Sequence, residues 1–372
     1  MLKFGTIGPT FPPVESIWER VKRNEEMGYD SVWFPDHLMN WYPQAIWTPD
    51  VTSIANYIPS PHMIWETMIS MALAAKETTK IRIGCSVTEP IRRHPVMIAQ
   101  AIVTIDNVAR GRAILGMGAG EGENIIPYGL DFSKPVSKLE EAIKIIRLCF
   151  NNKIGQTINF DGKFWKLKDA VFDTPLYQGH KPPIWVGGVM PRMLEIVGKY
   201  ADGWLPALHN AEEYRRCLNV IEEVMRREGR DPKELEKAAF VSVVVDKDKK
   251  SCLELLKSPL LRLECLALPS AVFEKYGYEH PLGKGSYGIR DYIPSRLSRE
   301  RALELARKVP DEILDERFVY GGPSDLIDTF EKLQKAGCEH IVFWNETFIA
   351  DFNKVRSSYA YIKEVMDYFK KQ

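Results

Sequence analysis

The sequence predicts an α/β protein built as a (β/α)8 barrel, and three observations lead there. Strand-like apolar runs alternate with amphipathic helical patterns along all 372 residues, and such alternation implies parallel strands joined by helical crossovers. Eight such strand runs can be counted, which favours a closed barrel over an open doubly wound sheet. Finally, the runs Val32-Trp33-Phe34-Pro35-Asp36-His37 and Arg112-Ala113-Ile114-Leu115-Gly116-Met117-Gly118-Ala119-Gly120-Glu121 end on titratable residues. Barrel strands end this way at the face that carries their active site.

The elements follow in order. Residues 3–7 read as the first strand and 14–28 as a helix that Gly28 ends. Residues 30–34 form the second strand. Residues 35–62 then break the rhythm with five prolines and with Trp41, Tyr42 and Trp47. That is too long for a βα loop of about 2–6 residues and predicts a functional loop or lid. A helix at 63–77, a strand at 80–87, a helix at 95–109 and a strand at 112–117 come next. The helix at 136–151 precedes a hairpin with Asp161-Gly162 as its turn. Strands at 183–188, 203–206, 239–245 and 340–344 complete the set, with helices at 191–201, 211–229, 324–336 and 353–370. The whole chain, 1–372, reads as one domain with insertions at about 35–62, 152–180 and 247–317.

Composition narrows the function. Fifty basic and fifty acidic residues give a formal net charge of zero, which argues against a broad nucleic-acid-binding surface. The six cysteines form no C-x-x-C pair and fit reduced thiols. The chain starts on a strand-like run, and no apolar run reaches the roughly 20 residues of a membrane helix. A soluble cytoplasmic protein that binds no membrane is expected.

Asp36 and His37 pair a carboxylate with an imidazole whose ordinary pKa suits proton transfer near neutrality; read alone, they could equally be a loop acid and a core histidine. Gly116-x-Gly118-x-Gly120 lacks the spacing of a dinucleotide fingerprint. It reads better as backbone that lets a flat cofactor approach, with Glu121 facing the same cavity, or else as a tight turn. Gly187-Gly188 before Pro191-Arg192 could offer N–H groups and a charge to a phosphate. Ser86-Val87-Thr88 ends the third strand, where small residues could meet a ring edge. The histidines show no metal-ligand spacing, so no metal site is expected, and no G-x-S-x-G marks a serine hydrolase. His209 could line the substrate pocket or lie on the surface.

Taken together, the motifs resemble the bacterial luciferase-like flavin and deazaflavin oxidoreductases over nearly the whole chain. Ile83-Gly84-Cys85-Ser86-Val87-Thr88-Glu89-Pro90 and Gly129-Leu130-Asp131-Phe132-Ser133-Lys134-Pro135-Val136-Ser137 resemble methylenetetrahydromethanopterin reductase. Gly277-Tyr278-Glu279-His280-Pro281-Leu282-Gly283, Asp291-Tyr292-Ile293-Pro294 and the long loop after His37 resemble the phthiodiolone ketoreductase group.

The resemblance implies a luciferase-like barrel with coenzyme F420 across its mouth, or FMN as the alternative. It implies that Asp36, Ser86, Val87, Thr88, Ala119, Gly120, Asn124, Gly187, Gly188 and Arg192 lie at the cofactor, with a non-prolyl cis peptide at Ser86-Val87. His37, Trp41 and Glu121 are implied as the catalytic set, with the roles of His37 and Glu121 open to exchange, and a homodimer is implied as the assembly. The expected activity is hydride transfer between F420 and a small-molecule carbonyl or secondary alcohol. An FMN-dependent monooxygenase, a pterin-reductase-type enzyme and a barrel that only binds are the alternatives.

Overall fold

Short runs of β-branched and aromatic residues become eleven strands in the computed structural model, which describes residues 2–371. They are β1 Lys3–Ile7, β2 Ser31–Phe34, β3 Arg82–Cys85, β4 Ala113–Met117, β5 Thr157–Asp161, β6 Lys166–Val171, β7 Ile184–Val186, β8 Gly203–Trp204, β9 Glu236–Val245, β10 Val319–Gly321 and β11 His340–Asn345. Eight of them pair in parallel in the order β11-β1-β2-β3-β4-β7-β8-β9, and β9 pairs back to β11. The barrel therefore closes, and the open-sheet alternative falls.

Helices cover the outside and bury one face each. Helix Ala211–Arg227 turns Tyr214, Cys217, Leu218, Ile221, Val224 and Met225 inward, the spacing of a 3.6-residue period. Its N-terminus is capped by Asn210, whose side chain accepts from Glu213 N at 3.0 Å. Helix Pro95–Ala109 begins on Pro95 and ends where Arg110 turns left-handed. All six cysteines are buried and free. No helix among the described residues is long and apolar enough to cross a membrane.

The barrel interior is filled by Trp33, Ile114, Trp185, Leu205, Ala238 and Val342. The Trp33 and Trp185 rings meet at 5.1 Å, and neighbouring strands leave room for them: a Cβ on Gly84 would lie 2.4 Å from the Trp33 ring, and one on Gly203 would lie 2.5 Å from Trp185. Below the rings, Trp33 Nε1 donates to Ser31 Oγ at 2.7 Å, and Ser31 Oγ lies 2.8 Å from His340 Nε2.

Four expectations change. The hairpin exists as β5 and β6, but its loop is residues 162–165, closed by Gly162 N to Trp165 O at 3.0 Å, with Asp161 paired to Lys166. The helix expected from 63 begins at Thr67, where the Glu66 side chain caps it. The lid 35–62 contains two 3-10 turns, Gln44–Ile46 and Ser53–Asn56. Beyond the 247–317 insertion, the chain adds β10 alongside β9, Val319 opposite Val243; three residues carry too little periodicity to reveal a strand.

The lid and that insertion form one body. Trp41, Tyr42, Ile46, Trp47 and Ile54 share a hydrophobic cluster with Leu260, Leu263, Phe273, Tyr292 and Leu305. Gly203→Ala should lower stability by about 1–3 kcal/mol through overpacking against Trp185. Urea denaturation checks it as a lower midpoint at unchanged slope; an unshifted midpoint refutes the packing account.

Candidate active site

The strand ends of the barrel's C-terminal face bring the expected residues to one mouth. His37 follows β2 and Glu121 follows β4, and His37 Nε2 lies 3.4 Å from Glu121 Oε2. Trp41 approaches from the lid. Its indole Nε1 donates to Glu123 Oε1 at 2.8 Å and to Glu121 Oε2 at 3.2 Å. The indole N–H therefore positions the carboxyls.

Glu123 was not singled out by the sequence reading, although a second acid two residues after Glu121 was the available signal. Burial, and then the neighbouring Glu121, push the Glu123 carboxyl well above its ordinary 4.5. Burial also acts upward on Glu121, but His37 and the hydrogen bonds from Glu123 and Trp41 outweigh it and leave Glu121 below its usual range. The pair thus holds one proton, on Glu123, beside one carboxylate, on Glu121. The histidine spacing predicts no metal, yet His37, Glu121 and Glu123 offer ligand atoms within 4.8 Å of one another. The Trp41 N–H and the retained proton already satisfy both carboxyls.

Asn124 lies in the 3-10 turn Gly122–Asn124, which follows Glu121 directly where no helix was expected. Its Oδ1 accepts from Leu38 N at 2.7 Å and Met39 N at 2.9 Å, and its Nδ2 donates to Glu123 at 3.0 Å. It ties the root of the lid to the β4 turn.

Asp36 is buried and engaged by two arginines that the sequence reading passed over. Arg93 Nη1 and Nη2 both donate to its carboxylate, and Arg92 Nη2 lies 3.3 Å from it and donates to the Asp36 carbonyl at 2.6 Å. Burial alone would raise the Asp36 pKa; the charges of Arg92 and Arg93 reverse the sign and hold it below the usual carboxylate range. Thr88 Oγ1 takes a 3.4 Å contact from Arg93, and Glu89 binds Arg92. The β2 and β3 ends are thereby locked together.

The Ser86–Val87 peptide is cis, as the resemblance implied. The glycines have a reason of their own. A Cβ on Gly118 would stand 2.5 Å from Val87 Cγ2, and one on Gly116 would stand 1.9 Å from Cys85 O. Gly118 thus admits the Val87 side chain, and Gly116 admits the Cys85 carbonyl. Gly120 and Gly188 have φ of +92° and +113°, a region that glycine alone enters cheaply. Gly187 follows β7 and lies level with Val87. Arg192 is exposed and contacts Ser137 Oγ at 3.2 Å. His209 is held by the insertion, its Nε2 lying 2.8 Å from Asp315 O.

The sequence profile of luciferase-like monooxygenases matches residues 3–340. The chain belongs to this family. It is 34% identical over 355 residues to the phthiodiolone/phenolphthiodiolone dimycocerosates ketoreductase of Mycobacterium tuberculosis (strain ATCC 25618 / H37Rv), covering 94% of this chain and 93% of the relative. It is 26% identical over 325 residues to the 5,10-methylenetetrahydromethanopterin reductase of Archaeoglobus fulgidus, covering 87% of each chain. Among solved structures it is similar to an F420-dependent secondary alcohol dehydrogenase in complex with an F420–acetone adduct, with a TM-score of 0.75, 22% identity and 98% of both chains covered.

This luciferase-like barrel carries a second buried polar cluster behind Trp41. Arg317 Nη2 donates to Glu264 Oε2 at 2.7 Å and lies 3.6 Å from Glu346 Oε1. Tyr42 OH donates to Glu264 at 2.5 Å. The Arg317 guanidinium sits 4.9 Å above the Trp41 ring, a cation–π contact that burial strengthens. Tyr292 OH donates to Trp41 O at 2.7 Å. Trp41 is thus fixed from ring and backbone by residues of the insertion. The sequence separation of these partners hid the cluster.

The Glu123 proton gives a pH test. The unfolded chain loses this proton near 4.5 while the folded chain keeps it. The contribution to stability is complete below that pH and is lost as pH rises toward the folded value. Glu123→Gln stays neutral in both states. Its stability relative to wild type should therefore rise between about pH 5 and about pH 8 in urea titrations; a constant or falling difference refutes the protonated assignment.

Proposed function

We propose that this luciferase-like barrel transfers a hydride between coenzyme F420 and a carbonyl or secondary alcohol. The observation that carries the reading is the position of His37. It is paired with Glu121 at 3.4 Å and lines an apolar chamber beside the mouth. The resemblance to the mycobacterial ketoreductase and the likeness of fold to the F420-dependent alcohol dehydrogenase support it.

The chain's own residues fit a flat ring with a phosphate-bearing tail. Ser86 Oγ is buried and has no hydrogen-bond partner, so a ligand's polar edge would satisfy it. Around Gly187, an added Cβ would meet Leu205 O at 3.3 Å and then nothing nearer than Val87 at 3.9 Å, which leaves backbone open to a close neighbour. In this reading Ser86, Val87, Ala119 and Gly120 lie beside the ring, and Gly187, Gly188 and Arg192 beside the tail. Asp36, Thr88 and Asn124, each engaged by its neighbours, support that surface from behind.

When bound, the deazaflavin supplies or accepts the hydride at a ring carbon. His37 handles the proton. With Nε2 toward Glu121, its Nδ1 is left for the substrate oxygen, donating to it as charge develops during reduction and accepting from the alcohol in reverse. The Glu121 carboxylate orients the ring and balances its charge. Trp41 and Tyr42 close the mouth and keep bulk water from the reacting oxygen. The same reading takes the protein as a cytoplasmic homodimer, an assembly that light scattering measures directly.

A parallel fluorescence titration with oxidised F420 and with FMN tests the cofactor. Tight binding of F420 is expected; a preference for FMN would move the chain to a flavin-dependent monooxygenase. His37→Asn should lower turnover by about 10²–10⁴-fold with F420 affinity nearly unchanged; steady-state kinetics showing full turnover would remove His37 from the proton path.

A further inference from the structure

The chamber beside His37 constrains the substrate itself, and its argument rests on the oxidoreductase reading only in naming the reacting group. It has a volume of 180 Å³ and lies between the end of β1, the lid and the segment that follows β11. Ile7, Phe11, Ile54, Ile58, Phe348 and Phe352 are among the apolar side chains of its wall. None of the glycine-rich residues after β3, β4 and β7 lines it. His37 thus stands between two halves of the mouth, one suited to a cofactor and the other apolar.

Several of the polar groups on the wall are already bonded. Asn345 Nδ2 donates to Ser358 Oγ at 2.9 Å and its Oδ1 accepts from Thr347 N. Asn40 Oδ1 accepts from Trp41 N at 2.8 Å. Tyr42 OH is directed at Glu264. Beyond His37, Arg20 is the charged side chain on the wall, and it is exposed.

The lid is fastened over the chamber rather than resting on it. Thr52 Oγ1 donates to Ile349 O at 2.6 Å, and Phe352 N donates to Ser53 Oγ at 2.9 Å. The Tyr57 and Phe352 rings meet at 4.9 Å. These contacts close the chamber on the lid side, and it stays open to solvent past Arg20.

We infer that the chamber holds a compact, uncharged, ring-sized group on the substrate, so that the reaction is the interconversion of a cycloalkyl or aryl secondary alcohol and its ketone. A dry cavity of about 150 Å³ lined by aliphatic and aromatic side chains accepts benzene, and this one is larger by a methylene or two. A propyl-sized alcohol leaves most of it empty. An extended lipid chain exceeds it while the lid contacts hold. Ile58 and Phe352 act as specificity-determining residues.

The test is calorimetric titration of the cofactor-free protein with cyclohexanol, 2-propanol and 2-dodecanol, followed by F420 reduction assays with the same alcohols. Each methylene buried in the chamber should tighten binding about fourfold, so cyclohexanol should bind at least ten times more tightly than 2-propanol. Ile58→Trp should abolish cyclohexanol binding and leave the F420 titration unchanged. Phe352→Ala should shift preference toward cyclooctanol, which keeps the test intact if the tryptophan variant does not fold. Equal affinity for 2-propanol and cyclohexanol, an unaffected Ile58→Trp, or 2-dodecanol turning over as well as cyclohexanol would each overturn the inference. Cyclohexanol binding without F420 binding would leave the chamber standing and remove the deazaflavin reading. F420 reduction by 2-propanol with no cyclohexanol binding would do the reverse.

Discussion

Two tryptophans inside the barrel set the height of everything above them. The Trp33 and Trp185 rings meet at 5.1 Å, tilted by 43°, across the interior, and the glycines of adjacent strands are the complement that admits them. With the interior full, the strands can use their last residues for chemistry instead of core. On β2, Trp33 points inward, and beyond the strand Pro35 and His37 both reach the chamber wall. The period of two that buries the indole also aims the imidazole. The barrel's packing and the placement of His37 are one constraint met once.

The site above is organised by neutralising buried acids in pairs. Glu123 keeps its proton beside the Glu121 carboxylate. Behind Trp41, burial and then the Glu264 charge hold the Glu346 carboxyl well above its ordinary range, while Arg317 pairs with Glu264. Ionising a second carboxyl in either cluster would leave an uncompensated charge in the interior, which costs far more than a surface charge. Trp41 bridges the clusters through its N–H on one side and its ring on the other.

Local patterning made the barrel legible. Six barrel strands stand within the expected runs, while β9 starts three residues early at Glu236 and β11 runs one residue on to Asn345. His37, Glu121 and Trp41, placed together by motif and resemblance, do meet. What the sequence could not reveal depends on partners far apart in the chain. Arg317 reaches Trp41 across the whole barrel, and Arg92 and Arg93 reach Asp36 from the next βα loop. Gly116 and Gly118 show the other limit: their spacing did not reveal that Cys85 O and Val87 press against them.

The short strand β10 has a consequence for how such a protein can change. The excursion after β9 leaves at Asp246, and Asp246 N donates to Gly321 O at 3.2 Å where the chain returns. Departure and re-entry lie side by side on the paired strands β9 and β10, Gly321 opposite Val245, so the ends are held together by the sheet whatever lies between them. Loop-closure entropy grows only with the logarithm of length, and here the barrel has already met it. The segment is in effect a cartridge. It can be lengthened, shortened or exchanged, and with it the lid packing it supports, while the barrel strands keep their register. A change in the segment is thus felt at the mouth through Trp41, which Arg317 and Tyr292 hold, and not in the pairing of the barrel strands.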